Sequence, residues 1–195
     1  MGCKVLKKVW HAKHVVITDY KVLNVAKIVI RDDCLVPDRY VRMKYQGPNP
    51  WGVGSKIANT IRPFFHVSAS GTNNFRLNWD ISGDPITFYS RWWVKKTLSR
   101  FSYIRIVMKL QGEKHKKDNT GSFSFSMHGR VVTEFSGWGA LVKPIWHMYS
   151  YLFYNRARRR FADHCRNYIL NFRNEIKKHF NIEATDEPTA AGTYG

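Results

Sequence analysis

Residues 121–135, GSFSFSMHGRVVTEF, alternate apolar and polar side chains along the whole segment. Alternation with a period of two is typical of a β-strand that buries one face. The predicted buried face carries Phe123, Phe125, Met127, Val131 and Phe135. Gly129 interrupts this face, which predicts either a β-bulge or a close approach of another part of the chain.

Three further alternating segments precede this strand. Residues 75–81, 86–96 and 101–111 are joined to one another and to residues 121–135 by short links rich in turn-forming or charged residues. Four consecutive strands with hairpin-sized links predict an antiparallel meander. In the first of them, the alternation assigns to the buried face Phe75, Leu77, Trp79 and Ile81.

The C-terminal part of the chain is predicted to be helical. Residues 141–180 read as one long helix or two abutting helices. The second half has one apolar stripe, formed by Phe161, Cys165, Tyr168, Ile169, Phe172, Ile176 and Phe180. Residues 51–65 predict a further helix, and residues 15–20, 22–31 and 40–45 predict strands. The expected fold is α+β, a curved antiparallel sheet packed on a long C-terminal helix, with an extra N-terminal strand region.

This order of elements resembles the helix-grip arrangement of the START-like (SRPBCC) superfamily over about residues 40–180. The resemblance rests on element order and not on a signature motif. One departure is that a single helix follows the strand at 40–45, where the family usually has two short ones. The resemblance implies a sheet that grips the last helix around an apolar cavity. It does not fix a function, because the superfamily spans lipid carriers, cyclases and ligand receptors.

Such a cavity provides one functional hypothesis, a carrier or sensor of a hydrophobic small molecule or lipid. Its predicted lining is Trp79, Phe123, Phe125, Met127, His147 and Tyr149. Acid–base catalysis in the cavity by Asp80, Glu134 and His147 ranks below it, since the sequence does not show that these residues converge. The sequence has no phosphate-binding loop, no GxSxG and no HExxH, so we predict no catalytic residue, no cofactor and no metal site.

Net charge is the most unusual property of the chain. Its 32 lysines and arginines against 14 acidic residues give +18 and a pI near 10.0. An excess of this size favours a polyanionic partner, either nucleic acid or an anionic membrane surface, over the ordinary alternative of a solubilising surplus. Our leading hypothesis is a non-catalytic protein that binds RNA or associates with a ribonucleoprotein.

The cations fall in three groups. The first lies on the predicted outward face of the sheet, interleaved with Tyr89, Trp93 and Tyr103, and comprises Arg91, Lys95, Arg105 and Lys109. A face that mixes cations and aromatic rings suits RNA, because phosphates bind to charge and bases stack on rings. The second group is a hairpin tip, Lys114, Lys116 and Lys117, which we expect to form one basic edge with Lys96 and Arg100. The third is helical and comprises Arg156, Arg158, Arg159, Arg160, Arg166 and Arg173. Aromatic residues precede this last group, so an anionic membrane headgroup is an alternative ligand for it.

The ends of the chain differ from its middle. Residues 1–14 predict a basic arm, residues 15–182 a single domain, and residues 183–195 a disordered acidic tail. Cys3, Cys34 and Cys165 are widely spaced and have no zinc-site spacing. An odd, sparse cysteine count favours a reducing compartment, here the cytoplasm.

Overall fold

The computed structural model describes residues 25–138 and 143–182. They form an open, curved antiparallel sheet of six strands packed against a C-terminal helix, the α+β class that the sequence predicts. The strands are β1 Val25–Asp33, β2 Val41–Pro48, β3 Thr72–Asp80, β4 Ile86–Thr97, β5 Ser102–Lys114 and β6 Thr120–Trp138. The helices are α1 Gly52–Phe65, α2 Lys143–Leu152 and α3 Asn155–His179, with a short 3-10 turn at Ala69–Gly71. The predicted basic arm, the strand at 15–20 and the acidic tail lie outside the described residues.

The sheet has the order β1-β6-β5-β4-β3, so the predicted four-strand meander is confirmed. β2 also pairs with β6. β1 pairs with residues 130–138 of β6, whereas β2 pairs with residues 120–127. The two N-terminal strands therefore lie end to end along one edge of β6, and β3 forms the opposite edge of the sheet.

The α3 helix packs on the inner face of the sheet through its predicted apolar stripe. Cys165, Ile169, Phe172 and Ile176 are all buried. The closest approach is at Gly129, where an added Cβ would lie 2.6 Å from Ile169 Cδ1 and 2.9 Å from Cys165 Sγ. Pairing between β5 and β6 continues through Gly129 without a register shift. Of the two predictions made for this glycine, close approach is therefore the one that the structure shows.

The α1 helix, predicted at residues 51–65, covers a second part of the inner face. Its buried side chains include Val53, Ile57, Ile61 and Phe65. The Phe65 ring lies 5.1 Å from the Phe172 ring of α3, measured between centroids. The two helices thus close one continuous core against the sheet.

The prediction that β3 buries its apolar residues is wrong. The exposed fractions are 46% for Phe75, 52% for Leu77, 40% for Trp79 and 66% for Ile81. β3 is an edge strand that the core formed with α1 and α3 covers only in part, where the Trp51 ring lies 4.5 Å from the Trp79 ring. A register shift between Asn74 and Arg76 adds one residue to the strand, and Phe75 consequently lies against the outward-facing Arg91.

The C-terminal helical region consists of two helices that break at Phe153 and Tyr154. The Tyr154 hydroxyl lies 2.7 Å from Ser99 Oγ and 3.2 Å from Ser102 Oγ. Tyr154 therefore fixes the start of α3 to the β4–β5 turn. Among the described residues, no helix combines the length and the apolar content that a membrane span requires.

Cys34 and Cys165 form a disulfide, with their Cα atoms 5.7 Å apart. The partners are separated by 131 positions in the sequence, and spacing alone does not reveal such a pairing. Disulfides are rare in reducing compartments. The cysteine count therefore no longer supports a cytoplasmic location, which stays a prediction.

Candidate nucleic-acid interface

The face of the sheet turned away from α3 carries the sheet cations. We call it the outer face and define it by Arg42, Lys44, Arg76, Tyr89, Arg91, Trp93, Lys95, Tyr103, Arg105, Lys109, His128 and Arg130. Residues that pair directly across antiparallel strands project from the same side of the sheet. The strand register therefore orders these side chains into rows.

One row runs across five strands. Arg76 on β3 pairs with Arg91 on β4, and Arg91 pairs with Lys109 on β5. Lys109 pairs with Ser126 on β6, which pairs with Arg42 on β2. Neighbouring strands are about 4.8 Å apart, so the four cations of this row lie at short intervals across the sheet, interrupted once by Ser126.

A second cationic row lies four residues further along β4. Lys95 pairs with Arg105, which pairs with Arg130. Between the two rows, Trp93 pairs with Val107 and Val107 pairs with His128. The outer face thus presents two lines of positive charge with aromatic and apolar side chains between them.

Acidic side chains neutralise little of this charge. Arg130 Nε lies 2.8 Å from Asp33 Oδ1. Arg91, Lys95, Arg105 and Lys109 make no ion pair with any acid in the part of the chain that the structure describes. The predicted outward register is confirmed by the strand pairing, and within residues 25–138 and 143–182 most of its charge has no acidic partner.

His128 lies within this positive field. The pKa of its ring is lowered from 6.5 to about 4, mainly by burial and in addition by the nearby charges of Arg130, Lys109 and Arg39. His128 is therefore neutral at pH 7. Its Nδ1 atom has no hydrogen-bond partner among the described residues, and neither does Arg91 Nε.

Several cations stand over aromatic rings of the same face. Lys95 Nζ lies 4.4 Å from the Tyr103 ring centroid, and Arg91 Cζ lies 4.6 Å from the Phe75 centroid. Phe75 was not predicted to lie on this face, because strict alternation places it inward and gives no signal for the extra residue at the register shift. Tyr103 also donates a hydrogen bond from its hydroxyl to Glu134 Oε1, at 3.2 Å.

An open hollow of about 820 Å³ lies at the β5–β6 hairpin end of the sheet. Most of its lining alternates outward from β2, β4, β5 and β6: Lys44, Gln46, Thr87, Tyr89, Gln111, Glu113, Ser122 and Ser124. The hollow has polar and apolar lining in similar amounts and contains the outward-facing Lys44 and Tyr89. It extends the outer face toward the hairpin tip.

The hairpin tip does not form the predicted edge with Lys96 and Arg100. Lys114 pairs with Ile86 at the start of β4, whereas Lys96 pairs with Ile104 near the other end of that strand. The tip contacts the β3–β4 turn instead, where Lys116 Nζ donates a hydrogen bond to the Ile81 carbonyl at 3.1 Å. Lys96 belongs to the inner side, since its Nζ donates to the Phe65 carbonyl at 2.8 Å.

The helix arginines separate into a structural residue and an exposed group. Arg158 donates two hydrogen bonds to Asp32, one of them 2.8 Å long, and its side chain is 12% exposed. This hydrogen bonding raises the pKa of Arg158 and ties α3 to β1. Exposed on the same helix are Arg156, Arg159 and Arg160, and half-buried are Arg166 and Arg173. Because α3 packs on the inner face, these arginines and the outer face lie on opposite sides of the sheet.

The predicted cavity-lining residues are not gathered around one space. Phe123, Phe125 and Met127 are at most 2% exposed and belong to the packed core. The Phe123 ring contacts those of Tyr45 and Phe180, at 5.1 and 5.7 Å. Trp79 and Tyr149 are 40% and 38% exposed, and the side chain of His147 lies outside the described part of the structure. No group of histidine, cysteine or acidic residues within the described ranges is arranged to hold a metal ion.

No protein-family model matches the chain, and no curated protein matches it. Among solved structures, the Mll3558 protein from Rhizobium loti is 11% identical, with 63% of this chain and 92% of that chain covered and a TM-score of 0.16. A likeness at that score carries no weight for fold or function.

Proposed function

We propose that this protein binds single-stranded RNA, without catalysis, on the outer face of its sheet. The proposal rests on one observation, the two rows of largely unneutralised cations that flank Trp93 and His128. It is consistent with a fold of the START-like helix-grip type. In that arrangement the helices cover the inner face and leave the outer one available.

The chemistry of the outer face favours a single strand over a duplex. Arginine and lysine side chains attract phosphates whatever the sequence, and they release counterions when they bind. Aromatic rings add affinity only when bases are unstacked and can lie against them. Trp93, Phe75 and Tyr103 supply such rings between or beside the cations, so a splayed strand can use both kinds of contact.

The test compares two triple variants that lose the same charge. Arg91→Gln/Lys95→Gln/Lys109→Gln removes cations from the outer face, and Arg62→Gln/Arg100→Gln/Lys178→Gln removes exposed cations from elsewhere. Fluorescence anisotropy with a labelled single-stranded oligoribonucleotide measures the affinity of each. We expect the first variant to bind about tenfold or more weakly, and the second to stay within about threefold of the wild type.

Salt dependence provides the second readout. With three phosphate contacts, the affinity of the wild type should fall about tenfold or more between 50 and 200 mM salt, and the outer-face variant should show a shallower slope. Equal losses in the two variants would reduce the effect to bulk charge. Wild-type affinity that does not change with salt would overturn the proposal.

A further inference from the structure

The α2 helix exposes an apolar stripe. Ile145, Met148 and Leu152 are 64%, 62% and 67% exposed. Tyr149 is 38% exposed, and its ring contacts that of Phe135. These positions follow the spacing i, i+3, i+4 and i+7, which places them along one side of a helix. Phe153, at the break after α2, is 74% exposed. Apolar side chains on this side of α2 therefore face solvent.

Exposed arginines follow this stripe directly. Arg156, Arg159 and Arg160 lie in the first two turns of α3, just after the break that follows Leu152. None of the three makes an ion pair with an acid among the described residues. Asp163 is the one exposed acid within a turn of them on α3. The result is an apolar patch followed at once by a patch of positive charge.

The neighbouring residues fix the direction in which this segment faces. Tyr154 contacts Ser99 and Ser102 at the sheet, and Arg158 is held by Asp32 of β1. Arg156, Arg159 and Arg160 are turned away from the side of α3 that carries Arg158, and they are exposed. These three arginines therefore point away from the sheet, and also away from the outer face.

We propose that this interfacial segment, Ile145, Met148, Leu152, Phe153, Arg156, Arg159 and Arg160, docks the protein on an anionic lipid bilayer. The apolar side chains enter the boundary between headgroups and acyl chains, and the guanidinium groups bind lipid phosphates. A bilayer offers an apolar layer beside an anionic one, which matches the order of the two patches. RNA supplies the charge but no apolar layer. The α2 helix has 10 residues, about 15 Å, so it fits a helix lying in the interface and not one that crosses the membrane.

The proposal is independent of RNA binding, because the interfacial segment and the outer face lie on opposite sides of the sheet. Its test is flotation with vesicles of phosphatidylcholine, either alone or with about a third phosphatidylserine. On the anionic vesicles, each basic residue near the surface contributes about a fivefold change in partitioning. Arg156→Gln/Arg159→Gln/Arg160→Gln should therefore lose about a hundredfold. The partitioning of the matched-charge variant Arg62→Gln/Arg100→Gln/Lys178→Gln should fall by only about tenfold.

A second variant separates insertion from charge attraction. Leu152→Ser/Phe153→Ser keeps the net charge, replaces two side chains that are mostly in solvent, and should leave the melting temperature unchanged. We expect it to weaken partitioning by about tenfold or more, since burial of these groups drives insertion. Its affinity for the oligoribonucleotide should equal that of the wild type, which keeps this result separate from the RNA proposal.

Four outcomes would overturn the membrane proposal. The matched-charge variant could lose as much partitioning as the arginine variant, or Leu152→Ser/Phe153→Ser could leave partitioning unchanged. Sedimentation could instead show a dimer that this variant dissociates, which would assign the stripe to a second copy of the chain. Finally, the arginine variant could lose RNA affinity while it keeps its vesicle affinity, which would assign these arginines to RNA.

Discussion

At the scale of single residues, the environment of His128 links stability to the charge of the outer face. Its neighbours Arg130, Lys109 and Arg39 disfavour its protonated form, and burial disfavours it more strongly. The sequence shows a histidine on an outward register but not the cations that adjacent strands bring to it. The lowered pKa is consequently a property of the folded sheet and is lost on unfolding.

The sign of the pH effect follows from that pKa. The unfolded chain, with a histidine pKa near 6.5, binds the proton more tightly than the folded protein, with its pKa of about 4. The stabilisation is therefore present above about pH 6.5 and is lost as the pH falls toward 4. Since the ring is half-exposed and screened by solvent, we expect about 1 kcal/mol to be lost between pH 7 and 5.

Urea denaturation of the wild type and of His128→Asn at pH 7 and 5 measures this loss. The variant should lose about 1 kcal/mol less free energy of unfolding than the wild type over the same range, because it has no proton to bind at that position. Equal pH dependence in the two proteins would show that His128 is not held neutral.

The arginine run at 156–160 shows how far residue type alone can lead. Four arginines close together in the sequence predict one basic patch. The structure divides them, because helical periodicity turns Arg158 inward to Asp32 while its neighbours face solvent. Periodicity identifies the inward position, but the acid that meets it is 126 positions away and cannot be found by spacing.

At the scale of secondary-structure elements, Gly129 sets how closely α3 approaches the sheet. Its position on the buried face of β6 can be predicted from alternation. Its contact with Ile169 and with the disulfide of α3 could not be predicted. Such a prediction requires both the rotation of the helix and the register of the sheet. A side chain here would push α3 away from β6.

We therefore expect Gly129→Ala to lower the free energy of unfolding by about 1–3 kcal/mol, as overpacking of a tight core does. Ile169→Val removes the Cδ1 atom that the new methyl group would meet, and by itself costs about 0.5–1.5 kcal/mol. In the double variant the loss should be smaller than the sum of the two single losses, since one change relieves the other. Chemical denaturation measures all three. Strictly additive losses would show that Ile169 does not set the approach.

The β3 strand shows what alternation leaves undetermined. Its pattern places Leu77 and Trp79 on the inner side, where they pair with buried Ser90 and Phe88. Alternation does not reveal whether another layer covers that side. At this sheet edge the α1–α3 core covers the strand only in part, through the contact of the Trp51 ring with the Trp79 ring, and the apolar residues stay largely exposed.

At the scale of the whole molecule, local patterns predicted the meander, the α1 helix and the stripe of α3, because each depends on neighbours within a few residues. Features that depend on distant partners were not predictable. The Cys34–Cys165 bond is one, and the shared edge of β6, where β1 and β2 lie end to end, is another. For the candidate site, the outward register and the positive charge of the strand residues were predictable. The arrangement of the cations in rows and the position of Phe75 on the outer face could be seen only from the strand pairing.

The two proposals place different ligands on different sides of the sheet. RNA would lie on the outer face, and a bilayer would meet the α2–α3 segment. Under these proposals, one part of the positive charge binds RNA and another part binds lipid phosphates. Neither ligand would block the other, because the sheet lies between them.

The adjacent pair Trp92 and Trp93 allows the most direct test of RNA binding on the outer face. Trp92 is 3% exposed and points into the core, whereas Trp93 lies between the cationic rows. Indole N–H signals can be followed by NMR during titration with a single-stranded oligoribonucleotide, after assignment with Trp92→Phe and Trp93→Phe. We predict a saturable shift of the Trp93 signal and an unchanged Trp92 signal. An unchanged Trp93 signal at saturating RNA would contradict the account.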